Sequence, residues 1–198
     1  VELSGRMVIG ISLAASVLRG MDRSIVDAVV VAREIVLPGT PAFEDIIARF
    51  PVETENGIDR DKLRELTFGV QDQDAIAELE AITHPRIKDE TIRQLAEAEG
   101  PYVVHERPAL KMPSSIRPDH VLFVDQPNLY VERNRILERG RGKGQDLTPQ
   151  QVDAMLFRQL SRDELAKRAD SILVNDGRKG KFKVKVRDLD TEYISKLR

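Results

Sequence analysis

Short apolar runs alternate along the chain with stretches whose apolar positions recur every three or four residues, which predicts strands interleaved with helices. The first run is Met7-Val-Ile-Gly-Ile-Ser12. With the helical stretch that follows and the run Ser24-Ile-Val-Asp27, it reads as the opening of a βαβ unit. Ala28 to Val36 reads as a helix stopped by Leu37-Pro38-Gly39, and Thr40-Pro41 supplies a cap and a first-turn proline for a helix whose apolar face is Phe43, Ile46, Ile47 and Phe50. From Ile58 to Glu99 the periodicity predicts three helical pieces, Asp61 to Phe68, Gln73 to Ile82, and a third opened by His84-Pro85. Tyr102-Val-Val-His105 and Val121-Leu-Phe-Val-Asp125 are continuously apolar, as central strands of a parallel sheet are.

Pro127 is expected to open a helix through Arg139, followed by the glycine-rich basic loop Arg139-Gly-Arg-Gly-Lys-Gly144. Thr148-Pro-Gln-Gln151 and Ser161-Arg-Asp-Glu164 are capping boxes that each start a further helix. Ser171-Ile-Leu-Val174 is the last core strand, closed by the turn Asn175-Asp-Gly177. In the tail, Phe182, Val184 and Val186 alternate with Lys181, Lys183 and Lys185, a pattern that suits a charged edge strand or a partner surface, before a final helix through Leu197.

Composition narrows the class. At 198 residues, 41% hydrophobic and 32% charged, the chain is long enough for one buried core with an appendage or for two closely packed lobes. The net charge of −2 gives no electrostatic reason to expect a nucleic acid or an anionic membrane as partner. Without cysteine there are no disulfides and no thiolate metal sites, which fits the cytoplasm or an organelle matrix such as the mitochondrial one, and not secretion. No apolar run reaches the length of a membrane span.

A phosphate loop, G-x-x-x-x-G-K-[ST], would place backbone N–H groups, a lysine and a hydroxyl around a nucleotide's phosphates. Read with Met7 to Gly10 as the strand, the turn that follows is Ile-Ser-Leu-Ala-Ala-Ser, with no second glycine and no lysine before Lys62. The expectation is therefore a kinase-like layout lacking its phosphate cradle.

Several segments together resemble the dephospho-coenzyme A kinases, phosphate-loop enzymes that phosphorylate the 3′-hydroxyl of the ribose of dephospho-CoA. They are Ile25-Val-Asp-Ala28 with Ala32-Arg33, Leu37-Pro-Gly39, Asp61-Lys-Leu-Arg64, Leu79-Glu-Ala-Ile-Thr-His-Pro85, Gln159 with Ser161 and Glu164, and Ala169-Asp170 through Asn175-Asp-Gly177. The resemblance implies a three-layer α/β fold of the P-loop kinase type, with a parallel sheet, a helical insertion at about 58–99 and a lid at about 139–165. The kinase-like domain would span 1–178 and a C-terminal extension 179–198.

Three departures bear on activity. The first βα connection reads as short by about eight residues, the length of a phosphate loop. The family's Asp-Ala-Asp stands as Asp27-Ala28-Val29, so the acid expected to act as general base is a valine. Its D-x-P-L-L-x-E segment stands as Glu106 to Met112, without the closing acid. The combination implies a non-catalytic descendant, kept as a structural subunit of a larger assembly or as a regulatory binder, with residual binding of a CoA-like or adenine ligand. The competing reading is an active kinase transferring the γ-phosphate of ATP, with Mg²⁺, to dephospho-CoA.

The resemblance assigns Arg139, Asn175 and Gly177 to the nucleotide and Arg33, Arg64 and His84 to the acceptor, and leaves Asp27 as the remaining catalytic candidate. Each has a plainer reading, as solvated helix surface, a turn or a hydrogen-bonded structural histidine. Arg19, Arg23 and Lys62 are further cations able to reach phosphates, and Ser12 or Ser16 could offer a hydroxyl. His105 and His120 read as strand-end residues, and no histidine pair has metal-ligand spacing, so no metal ligand is assigned.

Overall fold

The computed structural model describes residues 1–69, 72–108, 116–142, 144, 146–157 and 159–197. Met112 and Lys143, which the sequence reading singled out, lie outside them. In chain order the elements are β1 (Glu2–Gly5), α1 (Ile11–Arg19), β2 (Ser24–Asp27), α2 (Ala28–Glu34), α3 (Pro41–Arg49), β3 (Glu53–Thr54), β4 (Gly57–Ile58), α4 (Arg60–Arg64), α5 (Gln73–Glu97), β5 (Val103–Pro108), β6 (Val121–Asp125), α6 (Leu129–Arg141), α7 (Pro149–Phe157), α8 (Arg162–Arg168), β7 (Ser171–Val174) and α9 (Lys179–Lys196). A π-helical turn, Glu65–Gly69, follows α4.

Two compact units result, Val1–Asp27 with Ala98–Arg198, and Ala28–Glu97. In the first, five parallel strands lie in the order β2-β5-β1-β6-β7. Leu3 pairs in register with Glu106 on one side and Leu122 on the other. The core is built from Leu3, Val104, Leu122, Phe123 and Val124 of the sheet, Ala14, Ala15 and Leu18 of α1, and Phe182 and Val186 of α9. Burying a side chain such as Phe123 or Phe182 contributes roughly 1.5–3 kcal/mol.

The opening strand begins five residues earlier than the apolar pattern predicts. Its sequence, Glu-Leu-Ser-Gly, buries two polar residues, Glu2 and Ser4, so it does not read as an apolar run. Met7-Val-Ile-Gly is instead the turn after the strand, apolar because Ile9 inserts its side chain into the core. The supposed loss of the phosphate loop is thereby corrected: the connection from Gly5 to Gly10 is present and has the loop's length.

The alternating tail is likewise helix, not edge strand. Phe182, Val186, Asp190 and Tyr193 are its buried residues, a helical spacing that the lysine alternation disguised. Asp190 accepts Arg23 Nε at 2.6 Å and Arg23 Nη2 at 2.9 Å, and Tyr102 donates its hydroxyl to the same carboxylate at 2.6 Å.

The second unit packs Ile46 and Phe50 with Val52 and Ala75. Thr40 caps α3, accepting the Phe43 amide at 3.3 Å. The predicted break at His84-Pro85 does not occur: α5 runs through Pro85. Proline removes one donor from the ladder. Around it Thr83 Oγ1 donates to Leu79 O at 2.7 Å and Arg86 Nη1 to Ile82 O at 2.7 Å.

Candidate nucleotide site at the β1 to α1 turn

β1 is the point where the sheet order reverses, with β2 and β5 on one side and β6 and β7 on the other. In open parallel sheets the ligand crevice forms beyond the carboxyl end of the strands at such a point. Here that end carries Gly5-Arg-Met-Val-Ile-Gly10 and then Ile11-Ser12, the spacing of a phosphate loop with isoleucine where lysine would stand.

Both glycines are required by the packing. A Cβ on Gly5 would lie 2.6 Å from Ile9 Cδ1 and 2.9 Å from the Val124 carbonyl. Gly10, at φ +114°, occupies the left-handed region, and a Cβ there would lie 2.5 Å from Asn175 Nδ2. Val8 is left-handed too, at φ +54°. A β-branched residue held in this region stores roughly 1–3 kcal/mol of strain, which the surrounding loop must hold in place.

The loop is tied down from three sides. Asn175 Nδ2 donates to Ile9 O at 2.6 Å, Met7 donates its amide to Gln159 Oε1 at 2.8 Å, and Arg6 Nε lies 3.0 Å from Glu132 Oε1. Burial pushes the Glu132 carboxyl up, against the opposing pull of Arg6 and Arg162. α1 (Ile11–Arg19) follows Gly10 without a side-chain cap, which leaves its first-turn N–H groups, at the positive end of the helix, able to take an anion.

Beside the loop, Glu106 of β5 is buried next to Asp27, its register partner at the end of β2. Ser12 donates its hydroxyl to Glu106 Oε1 at 3.1 Å. Glu106 Oε2 is buried without a hydrogen bond, with Arg19 Nη2 3.8 Å away. Burial first, and then the charge of Asp27, pushes the Glu106 carboxyl up, while Ser12 and Arg19 oppose the rise. Two carboxylates and a hydroxyl at strand and helix ends form a hard oxygen donor set, and the orphaned buried oxygen gives a divalent cation such as Mg²⁺ an open ligand there.

The sequence candidates divide between the two units. Asp27, Arg139, Asn175 and Gly177 lie in the first unit with the loop, while Arg33, Arg64 and His84 lie in the second. Arg33 is exposed, Arg64 pairs with Asp61 at 2.6 Å on the helix surface, and His84 is half-buried inside α5 and does not open a helix. Arg139 is exposed on the last turn of α6, and Asn175 is buried, its Oδ1 accepting the Gly177 amide at 3.2 Å. Val29 is exposed in the first turn of α2.

Of the other cations and hydroxyls considered, Arg23 is taken up by Asp190, Lys62 lies in α4 of the second unit and Ser16 is exposed on α1. His105 lies within β5, and His120 Nε2 sits 2.9 Å from Ser171 Oγ. Sequence reasoning missed Gly5 and Arg6 of the loop and the buried Glu106 beside it. The spacing Gly5 to Gly10 was the available signal.

His105 offers a pH test of this region. Its Nε2 is buried without a partner, and desolvation, helped by the charge of Arg107, lowers its pKa to about 4. The unfolded chain takes up a proton near the ordinary value of about 6.5. The folded chain does so only near 4, so this group's contribution is intact above about pH 6.5 and is lost as the pH falls toward 4. His105→Leu is expected to flatten the stability profile across that window, measured as urea midpoints at a series of pH values.

The turn, its sheet position and the uncapped helix define the class: an α/β protein with a phosphate loop, of the nucleotide-kinase type. The profile of the Dephospho-CoA kinase family matches residues 1–180. Among curated relatives, a dephospho-CoA kinase of Burkholderia lata is 35% identical, over 89% of this chain and 86% of its own. One of Thermobifida fusca is 34% identical, over 100% and 97%. The crystal structure of TT1252 from Thermus thermophilus superposes with a TM-score of 0.78 at 25% identity, covering 96% of this chain and 95% of that one. The chain belongs to the dephospho-CoA kinase family. Among the described residues, no helix is long and apolar enough to cross a membrane.

Proposed function

We propose that this chain is a dephospho-CoA kinase, an ATP-dependent phosphotransferase that moves the γ-phosphoryl group of ATP to the 3′-hydroxyl of dephospho-CoA in coenzyme A synthesis. The observation that carries the proposal is the Gly5 to Gly10 loop leading into an uncapped α1 at the switch point of the sheet. Phosphoryl transfer relies on positioning and charge neutralisation, both of which begin with such a loop.

In this reading the first-turn amides of α1 hold phosphate oxygens. Asn175 and Gly177 border the adenine side, Arg139 approaches the phosphates from the lid, and Arg33, Arg64 and His84 serve the acceptor. Ser12 and Glu106 would hold Mg²⁺, which would supply charge neutralisation of the phosphates. With Val29 where the family carries its second acid, Asp27 is the carboxylate left to accept the proton of the ribose hydroxyl. A positioned base of this kind contributes roughly 10²- to 10⁴-fold.

A second reading is favoured by Ile11 and Val29 together. A loop without its lysine, beside a strand end without its second acid, suits a protein that binds nucleotide but transfers nothing, kept as a binding or structural module. An assay coupling ADP formation to dephospho-CoA, with ATP and Mg²⁺, separates the two. ADP production that depends on dephospho-CoA and falls below detection in Gly10→Val supports the kinase. Nucleotide binding by calorimetry without any turnover supports the second reading.

A further inference from the structure

The start of α9 is strongly basic in a chain that is otherwise acidic. Residues 178–187 hold Arg178, Lys179, Lys181, Lys183, Lys185 and Arg187 and no acid. Taking those six from the chain's 31 cationic residues leaves 25 against 33 acids, so the rest of the sequence carries a net charge of −8. Helix formation does not account for the cluster. The N-terminal end of a helix is its positive end and favours acids, yet the first turn of α9 holds none, and Arg178 at the cap position makes no side-chain capping bond. Lys179 with Lys183, Lys183 with Arg187 and Lys181 with Lys185 stand four apart, a spacing at which like charges repel.

Lys185 is engaged within the fold: its Nζ donates to the Val174 carbonyl at 3.0 Å and lies 3.8 Å from Asp176 Oδ2. The side chains of the other five are in exposed residues and enter no ion pair among the described residues. The helix that carries them is pinned. Phe182 and Val186 are buried in the core, and Phe182 Cε1 lies 3.6 Å from the position of a Cβ on Gly10. The cations therefore stand on a fixed support, with Val184, 51% exposed, as the apolar residue open to solvent among them.

Extent and chemistry decide what fits there. The basic stretch is about 14 Å long, at 1.5 Å per helical residue. A nucleic acid or a lipid surface would extend well past it, and the net negative remainder of the chain repels such a polyanion beyond a Debye length of about 8–10 Å. The stretch also exposes no aromatic ring on which bases would stack, Phe182 being buried, and no broad apolar face to enter a bilayer. A short acidic peptide meets both limits. It covers the stretch without reaching far beyond it, sets carboxylates against the lysines and can lay an apolar side chain on Val184.

We propose that residues 178–187, at the start of α9, are a docking surface for a short acidic segment of a partner polypeptide. Neither the phosphate loop nor the acceptor residues take part, so the inference goes beyond the proposed reaction and is tested apart from it.

Fluorescence anisotropy with a labelled peptide of about six glutamates, roughly 20 Å when extended, provides the test. One variant combines Lys179→Gln, Lys181→Gln and Lys183→Gln. A control makes the same change of charge at exposed sites elsewhere, Lys88→Gln with Lys167→Gln and Arg168→Gln. The first is expected to weaken the peptide roughly 10-fold or more, as for loss of three exposed charge contacts, and the control to change it less than about 2-fold. Binding is expected to fade as salt rises from about 50 to about 300 mM, because screening shortens the reach of each charge. With repulsion between the lysines relieved, the first variant is expected to melt no lower than the wild type. Carbodiimide coupling of the bound peptide to the wild type, mapped by mass spectrometry, locates the site without any substitution and is expected to mark Lys179, Lys181 or Lys183. If the first variant melts lower, that map decides. No binding at low salt, an equal loss in the control, coupling only at other lysines, or tighter binding of an oligouridylate of equal charge or of phosphatidylserine and phosphatidylcholine vesicles overturns the inference. A protein that binds the peptide at these lysines yet forms no ADP refutes the proposed reaction and leaves this inference standing.

Discussion

Ile11→Lys is expected to raise the rate of phosphoryl transfer from ATP by about 10²- to 10³-fold, the usual worth of one preorganised charge-stabilising group. The backbone that such a lysine needs is already built. Gly5 and Gly10 set the turn, Asn175 and Gln159 fix it, and the first-turn amides of α1 are uncapped. Nothing would have to move when the phosphates arrive, so the added charge acts in full. Ile11 is partly buried against the core, and losing its branched end costs some packing, but the methylenes of a lysine can cover the same surface while the ammonium reaches outward. Initial rates of ADP formation in the two proteins, at saturating dephospho-CoA, give the ratio. A ratio near one means that the loop does not hold the triphosphate during transfer. Adding Val29→Asp restores the family's second acid and is expected to raise the rate further, without the two factors simply multiplying.

Asp190→Ala is expected to destabilise the first unit by about 3–5 kcal/mol, the range for removing one partner of a buried ion pair. The carboxylate is buried, and it is the only acid holding Arg23 among the described residues; it also accepts the Tyr102 hydroxyl. Removing it strands a guanidinium that is mostly out of water and a phenol whose partner is gone. Burial pushes the Asp190 carboxyl up, but the bonds from Arg23 and Tyr102 outweigh it and hold the group below the ordinary range. Its stabilising share is therefore present at neutral pH and is lost only as the pH falls below the usual carboxylate range. Chemical denaturation at pH 7 measures the loss. A change under about 1 kcal/mol would class the pair with weak surface bridges.

The parallel α/β fold was legible because its central strands, Val121 to Asp125 above all, are continuous apolar runs, and the capping boxes at Thr148 and Ser161 stand in the structure as read. The opening strand was not legible in the same way. Glu2 and Ser4 are polar yet buried, their environment set by strands more than a hundred residues away, while the more apolar Met7-Val-Ile belongs to a turn. That one shift of register hid the phosphate loop and made the first connection look truncated. The C-terminal helix was obscured for a related reason: lysines at every second position mimic a strand, and only the spacing of Phe182, Val186, Asp190 and Tyr193 betrays the helix. Pro85 read as the opening of a helix because proline is at home in a first turn, whereas α5 runs through it and flanking side-chain bonds to the Leu79 and Ile82 carbonyls support the turn around it.

Residues 28–97 form one uninterrupted unit that the chain enters once, after β2, and leaves once, before β5. The other unit is stitched from two distant segments whose alignment is enforced strand by strand. Such a layout lets the inserted block be exchanged like a cassette while the sheet whose chain it interrupts stays unchanged. Substitutions would then accumulate unevenly, freely in the cassette and sparingly in the stitched half, where a single slip displaces every paired strand.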